Sequence, residues 1–344
     1  MKYTVLSLFP LLILASACNT NNSPSGAKDN DSASAKQKQQ PGQPEQESKP
    51  TLDTAKYNQL MTYMVNGDTS GLWPVKHEYP REGAILPFKR VVSYYGNLYS
   101  KQMGILGELP KDSMLRKLQL EVEKWTKADS VIPAIPALHY IAVTAQTAPG
   151  AGGKYRLRMP FSQIDTVLSW AKEIDALVFI DIQVGLSTLQ QELPEFEKYL
   201  SMPNVHFGID PEFSMKTGAR PGAAVGTFDA ADINYATDYL AGLVKKHNLP
   251  PKMLVIHRFT QGMVTNYKNI TLKPEVQIIM DMDGWGEAER KINTYKMFIH
   301  PEPVQFTGFK IFYKNDTKKV GRPREMQPAD LLKLKPVPVY IQYQ

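Results

Sequence analysis

Cysteine is all but missing from this chain. The 344 residues contain one, at position 18. A single thiol excludes an intrachain disulfide framework and any cysteine-built metal centre. After the first twenty residues no apolar run is long enough to span a bilayer. No block of Lys and Arg interleaved with aromatics occurs, and the net charge of +6 is modest for the length. Nucleic acid is therefore not an expected partner. The H-x-H and H-E-x-x-H patterns are absent too, which weighs against a metal centre; no cofactor is expected. What remains, 42% hydrophobic and 22% charged, is ordinary globular composition.

The first residues read as an address. Met1-Lys2 is a short positive start, residues 5–14 are apolar except for Ser7 and Pro10, and Ala15-Ser16-Ala17 are small residues before Cys18. This is a secretory signal, too short for a spanning helix. The segment resembles a bacterial lipoprotein signal, with Ala15 where Leu is commoner. The resemblance implies that Cys18 is lipidated, becomes the mature N-terminus and holds the protein to a membrane. Asn19 and Thr20, rather than Asp, then imply the outer membrane of a cell envelope. An ordinary signal peptide with an incidental cysteine is the alternative. Residues 19–54 hold almost no large apolar side chain and cannot bury enough surface to fold. Three parts result: a signal over 1–17, Cys18 with a flexible linker over 18–55, and one domain, expected to be monomeric, over 56–344.

In that domain short apolar runs alternate with helical patterns. Residues 56–65 read as a helix, and the Gly- and Pro-rich 67–89 as irregular chain at the base or rim. Strands are expected at 90–96, 137–145, 176–184, 205–213, 253–259, 276–283, 307–313 and 337–343. Helices are expected at 112–125, 162–174, 188–200, 230–247, 287–299 and 328–334, with a short one near 263–268. Asp112, Ser162, Ser187 or Thr188, and Asp229 are the expected caps. Eight nearly continuous apolar strands alternating with helices fit a (β/α)8 barrel. An open doubly wound sheet predicts a glycine-rich phosphate loop after the first strand. Gly96-Asn97-Leu98-Tyr99 is no such loop.

The strand ends carry the polar residues. Asp181 and Gln183 lie two apart, as do Asp210 and Glu212, and Asp281 and Asp283. In a strand that spacing puts each pair on one face. Tyr95 ends the first strand, His257 and Arg258 the fifth, and Lys310 and Tyr313 lie on the seventh. Such a set is a site at the carboxyl ends of the strands or an internal salt-bridge network with Lys310, Arg258 and His257.

Paired carboxylates near aromatics suit glycoside hydrolysis. Glu212 is the expected acid, with Asp210 beside it raising its pKa by like charge and Asp283 or Asp181 as partner. Tyr95, Trp285 and Tyr313 are candidates for stacking on sugar rings. Gln183, His257, Arg258, Asp281 and Lys310 complete the candidate substrate-binding set. Asp210-Pro211-Glu212 resembles the terminal D-x-E of family 18 chitinases and family 25 lysozymes. Met280-Asp281-Met282-Asp283 is similar to the chitinase M-x-Y-D, with Met282 in place of Tyr. The earlier positions of the chitinase run hold His206 and Gly208, and no S-x-G-G lies on the third strand. The strands together also resemble a group of uncharacterised secreted or lipid-anchored bacterial proteins, which implies no activity. Two alternatives stay open. One is a tethered barrel that binds a glycan or peptide without catalysis. The other is a metal-dependent hydrolase using Asp210, Glu212, His257, Asp281 and Asp283.

Overall fold

Eight parallel strands close on themselves: β1 (Arg90–Gly96), β2 (Ala134–Ala145), β3 (Leu177–Ile182), β4 (Val205–Ile209), β5 (Lys252–Arg258), β6 (Val276–Met282), β7 (Phe306–Ile311) and β8 (Tyr340–Tyr343). Each pairs with the next, and the ring closes where Val91 of β1 lies opposite Tyr340 of β8. Helices run between the strands, and the architecture is a (β/α)8 barrel. The computed structural model describes residues 51–318 and 324–344. The expected signal over 1–17, Cys18 and most of the expected linker lie outside the described residues. Among the described residues no helix is long and apolar enough to cross a membrane.

The two-residue strand period sorts the core into two parts. Val91, Ala137, Phe179, Val255, Ile279, Phe306 and Tyr340 point inward and form one cluster. Their neighbours Val92, Leu138, Val178, Ile180, Leu254, Ile256, Ile278 and Ile341 point outward and pack against the helices. The helices meet them with apolar stripes: Leu115, Leu118 and Trp125 from α2 (Lys111–Ala128), Ile164 and Val167 from α3 (Phe161–Glu173), and Leu240 and Val244 from α4 (Ala230–His247).

The amino end of the barrel is sealed by the chain that precedes β1. The first helix, α1 (Thr54–Val65), sets Tyr57, Leu60, Met61 and Met64 on the inward cluster. The Gln277 side chain accepts from the Ile85 and Leu86 N–H groups at 3.1 Å and donates to the Leu86 carbonyl at 2.6 Å. Beside this seal, buried Arg90 meets Asp129 at 3.0 Å and lies 5.2 Å from the Trp125 ring. With the lower end filled, open space is left at the carboxyl ends of the strands.

Several boundaries differ from the sequence expectation. The helices expected from Asp112 and Ser162 begin one residue earlier, after Pro110 and Pro160, so neither residue is the cap. The helix expected over 188–200 starts on Thr188 as expected but is broken. Its middle, Leu193–Phe196, is a 3-10 turn containing Pro194, which lacks the N–H a helix needs. Two 3-10 turns, Gln261–Met263 and Tyr267–Asn269, replace the short helix expected near 263–268. The last strand starts only at Tyr340, beyond Pro336 and Pro338. The capping box at Asp229 is present as expected.

Asp129→Ala leaves the Arg90 guanidinium buried without its carboxylate. The expected loss of stability is about 3–5 kcal/mol, read from the denaturant midpoint. A loss below about 1 kcal/mol would mean that water reaches Arg90 in the fold.

Candidate active site

β4 ends at Ile209, four residues short of the expected Phe213. Pro211 cannot donate to the sheet, and Pro211–Phe213 forms a 3-10 turn. The strand period therefore does not place Glu212. The turn does. Asp210 caps it, its carboxylate accepting from the Glu212 N–H at 3.2 Å, and the Gly226 N–H donates to the Glu212 carbonyl at 2.6 Å. Both acids still face one cavity of about 620 Å³ at the carboxyl end of the barrel. Tyr95, Gln183, Asp283 and Lys310 share its floor, and Trp285, Arg290, Phe213, Phe259 and Phe312 line its walls.

Beneath the floor lies a ladder of buried charge. Lys310 Nζ is 2.9 and 3.1 Å from the two Asp283 oxygens and 3.9 Å above the Tyr95 ring. His257 Nδ1 lies 3.2 Å from Asp283 and 3.3 Å from Asp281. On the opposite edge of the ring, Nε2 lies 3.5 Å from Asp181. Asp181 also meets His139 Nε2 at 3.3 Å and accepts from the Tyr95 hydroxyl at 2.9 Å. His139 Nδ1 meets the Tyr340 hydroxyl at 2.5 Å. Glycines make the room. A Cβ on Gly208 would stand 2.5 Å from both Asp181 Oδ1 and His139 Nε2, and one on Gly308 would stand 2.4 Å from Asp281.

Their surroundings push these acids apart. Burial alone raises a carboxyl pKa. For Asp283, burial is outweighed by the Lys310 charge and by His257, which hold it below the usual range. For Asp181, burial is outweighed by the His257 charge and by the nearness of both imidazoles. Asp281 faces only the shared Nδ1 edge of His257, and burial pushes it up to about 6. Asp210 is pushed up to about 8, by burial first, with the charges of Asp283 and Glu212 adding. Besides the Glu212 N–H, its carboxyl accepts from the Gln183 amide at 3.2 Å. Glu212 is pushed up to about 7 by burial and then by the Asp283 charge. Among the described residues, no side chain forms an ion pair or hydrogen bond with the Glu212 carboxylate. Burial lowers His139 to about 4, whereas the carboxylates around His257 hold it well above its usual value.

The candidate residues thus divide. Glu212, Asp210, Asp283, Tyr95, Gln183, Lys310 and Trp285 meet at the cavity. Asp181, His257 and Asp281 lie fully buried below it. Arg258 and Tyr313 are not brought there. Arg258 follows His257 in the strand and so faces outward, where it bonds the Thr260 and Gln261 carbonyls and Glu302. Tyr313 lies beyond the end of β7, stacked on Tyr343 and bonded to Tyr94. Sequence reasoning gave no role to His139, Gly208 or Arg290. A histidine in a buried strand, two residues from the next inward position, is the signal that could have marked the first.

No family model and no curated protein sequence matches this chain. Among solved structures it is similar to cellulase Cel5C_n at 12% identity and TM-score 0.38, over 67% of this chain and 74% of that one. A ruminal GH26 endo-β-1,4-mannanase matches at 13% identity and TM-score 0.34, over 74% and 59%. A dihydropteroate synthase of Burkholderia cenocepacia matches at 10% identity and TM-score 0.35, over 75% and 86%.

Glu212 keeps its proton in the fold to about pH 7, while an unfolded glutamate loses it near about pH 4. Between those values the native state binds more protons, so stability falls as pH rises. In Glu212→Gln the decline in denaturant midpoint between about pH 5 and pH 8 should be shallower than in the wild type. An identical decline in both would show that Glu212 titrates alike folded and unfolded.

Proposed function

We propose that this protein is a glycoside hydrolase whose general acid is Glu212 and whose ionised partner is Asp283. One observation carries the reading: two carboxyl groups face the same cavity, one without a partner and held protonated, the other ion-paired and held charged. Paired acids whose surroundings separate their pKa values are what acid-assisted cleavage of a glycosidic bond requires. Glu212 donates its proton to the leaving oxygen as the bond to the sugar carbon breaks. Asp283 supplies negative charge opposite the carbon that becomes electron-poor; water then bonds to that carbon and returns a proton to the Glu212 carboxylate. Asp210, also protonated, keeps a second negative charge away from Glu212. Asp181 lies under Tyr95 and works through it and through His257, outside contact with substrate. Trp285, 56% exposed at the cavity wall, offers a face for a sugar ring.

The substrate in this reading is an envelope or environmental polysaccharide. Lipidation of Cys18 would hold the enzyme to the outer membrane as a monomer on a flexible linker. A second reading has its own support: Lys310 and His257 already engage Asp283, as expected of a barrel that binds a glycan or peptide without cleaving it.

Release of reducing ends from a panel of β-glucans, mannans, chitin and peptidoglycan separates the two readings. For the polymer that is cleaved, Glu212→Gln should lower kcat by about 10²–10⁴-fold with an unchanged circular dichroism spectrum. Binding to a panel member without release of reducing ends would establish the binder instead. The wild-type rate should fall as pH rises through about 7, where Glu212 loses its proton. Trp285→Ala should raise KM several-fold and leave kcat nearly unchanged. A loss confined to kcat would remove Trp285 from ground-state binding.

A further inference from the structure

We infer that His139 Nε2, His257 Nε2 and Asp181 Oδ1 form a buried site for one divalent transition-metal ion, with Zn²⁺ the best chemical match. The three atoms come from β2, β5 and β3 and lie within 4.8 Å of one another. Asp181 Oδ1 stands 3.3 Å from His139 Nε2 and 3.5 Å from His257 Nε2. Neither contact has hydrogen-bond geometry. All three atoms are buried, and among the described residues none has a hydrogen-bond partner. Buried polar atoms are rarely left so. Zn²⁺ holds imidazole nitrogen and carboxylate oxygen at about 2.0–2.2 Å, which puts neighbouring tetrahedral ligands about 3.3–3.6 Å apart. The observed separations fit donors that share one ion.

The far sides of Asp181 and His139 are fixed by hydrogen bonds, as in metal sites whose ligands are oriented from behind. Asp181 Oδ2 accepts from the Tyr95 hydroxyl at 2.9 Å. His139 Nδ1 meets the Tyr340 hydroxyl at 2.5 Å, and Gln342 donates to that hydroxyl at 2.9 Å. His257 Nδ1 faces two carboxylates, leaving Nε2 directed at Asp181. Space is kept at the same point, since any side chain at position 208 would place a carbon 2.5 Å from two of the three donors. Two imidazole nitrogens and one carboxylate oxygen suit Zn²⁺, whereas Ca²⁺ and Mg²⁺ take oxygen donors. Of the residues considered as metal ligands from the sequence, the site shares only His257. It does not depend on the hydrolase reading, because Glu212 is not among its ligands.

The test is elemental analysis of the full-length protein, purified without chelator or polyhistidine tag, with about one equivalent of zinc expected. After stripping, added Co²⁺ should give the visible bands of a tetrahedral site without thiolate charge-transfer absorption. His139→Gln and Gly208→Ala should lose the ion, and Glu212→Gln should keep it. If the first two variants do not fold, X-ray absorption of the wild type decides, with two imidazoles and oxygen expected around the metal. Folded wild type that takes up neither Zn²⁺ nor Co²⁺ overturns the inference. So does an ion retained in folded His139→Gln, lost in Glu212→Gln, or bound through sulfur.

Discussion

The interior of this barrel is governed by the cost of burying carboxylates. Asp181 and Asp281 are fully enclosed, and the Asp283 side chain is 8% exposed. An ion in such a place is tolerated only when paired and hydrogen-bonded. His257 stands between all three, and Lys310 holds the uppermost. Residues on β1, β2, β3, β5, β6 and β7 are thereby tied through one set of contacts across the barrel axis, above the apolar layer and below the cavity.

That set of contacts also decides which acid is left free to react. Gln183 and the Glu212 N–H occupy Asp210, and Lys310 and His257 occupy Asp283. Glu212 sits on a turn beyond the strand, above the layer where partners are available. Its carboxyl is desolvated yet unpaired, the combination that keeps a proton near neutral pH. The chemistry proposed for the cavity is thus a consequence of how the residues beneath it consume their bonds.

Much of this was legible in the sequence because strands write their geometry at a period of two. Asp181 with Gln183 and Asp281 with Asp283 each share the inward face as the spacing requires, and the eight apolar runs became the eight strands. The same parity separates His257 from Arg258, which a reading of strand ends as units had grouped together. Glu212 reached the cavity by another route, since Pro211 ended the strand first. The pairing of His139 with Asp181 depends on the stagger of β2 against β3, which puts Ile141 rather than His139 opposite Asp181. Stagger is a property of the closed ring and leaves no local trace in the chain.

Closure itself carries a consequence for how the protein is made. The ring is completed by β8, four residues that pair with β1 on one side and β7 on the other. Until those residues emerge from the ribosome, a nascent chain holding the first seven strands has two unpaired edges, and its inward layer of acids and histidines is open to water. Such edges are templates for pairing with other chains. The ring can therefore close only after nearly the whole domain has been synthesised.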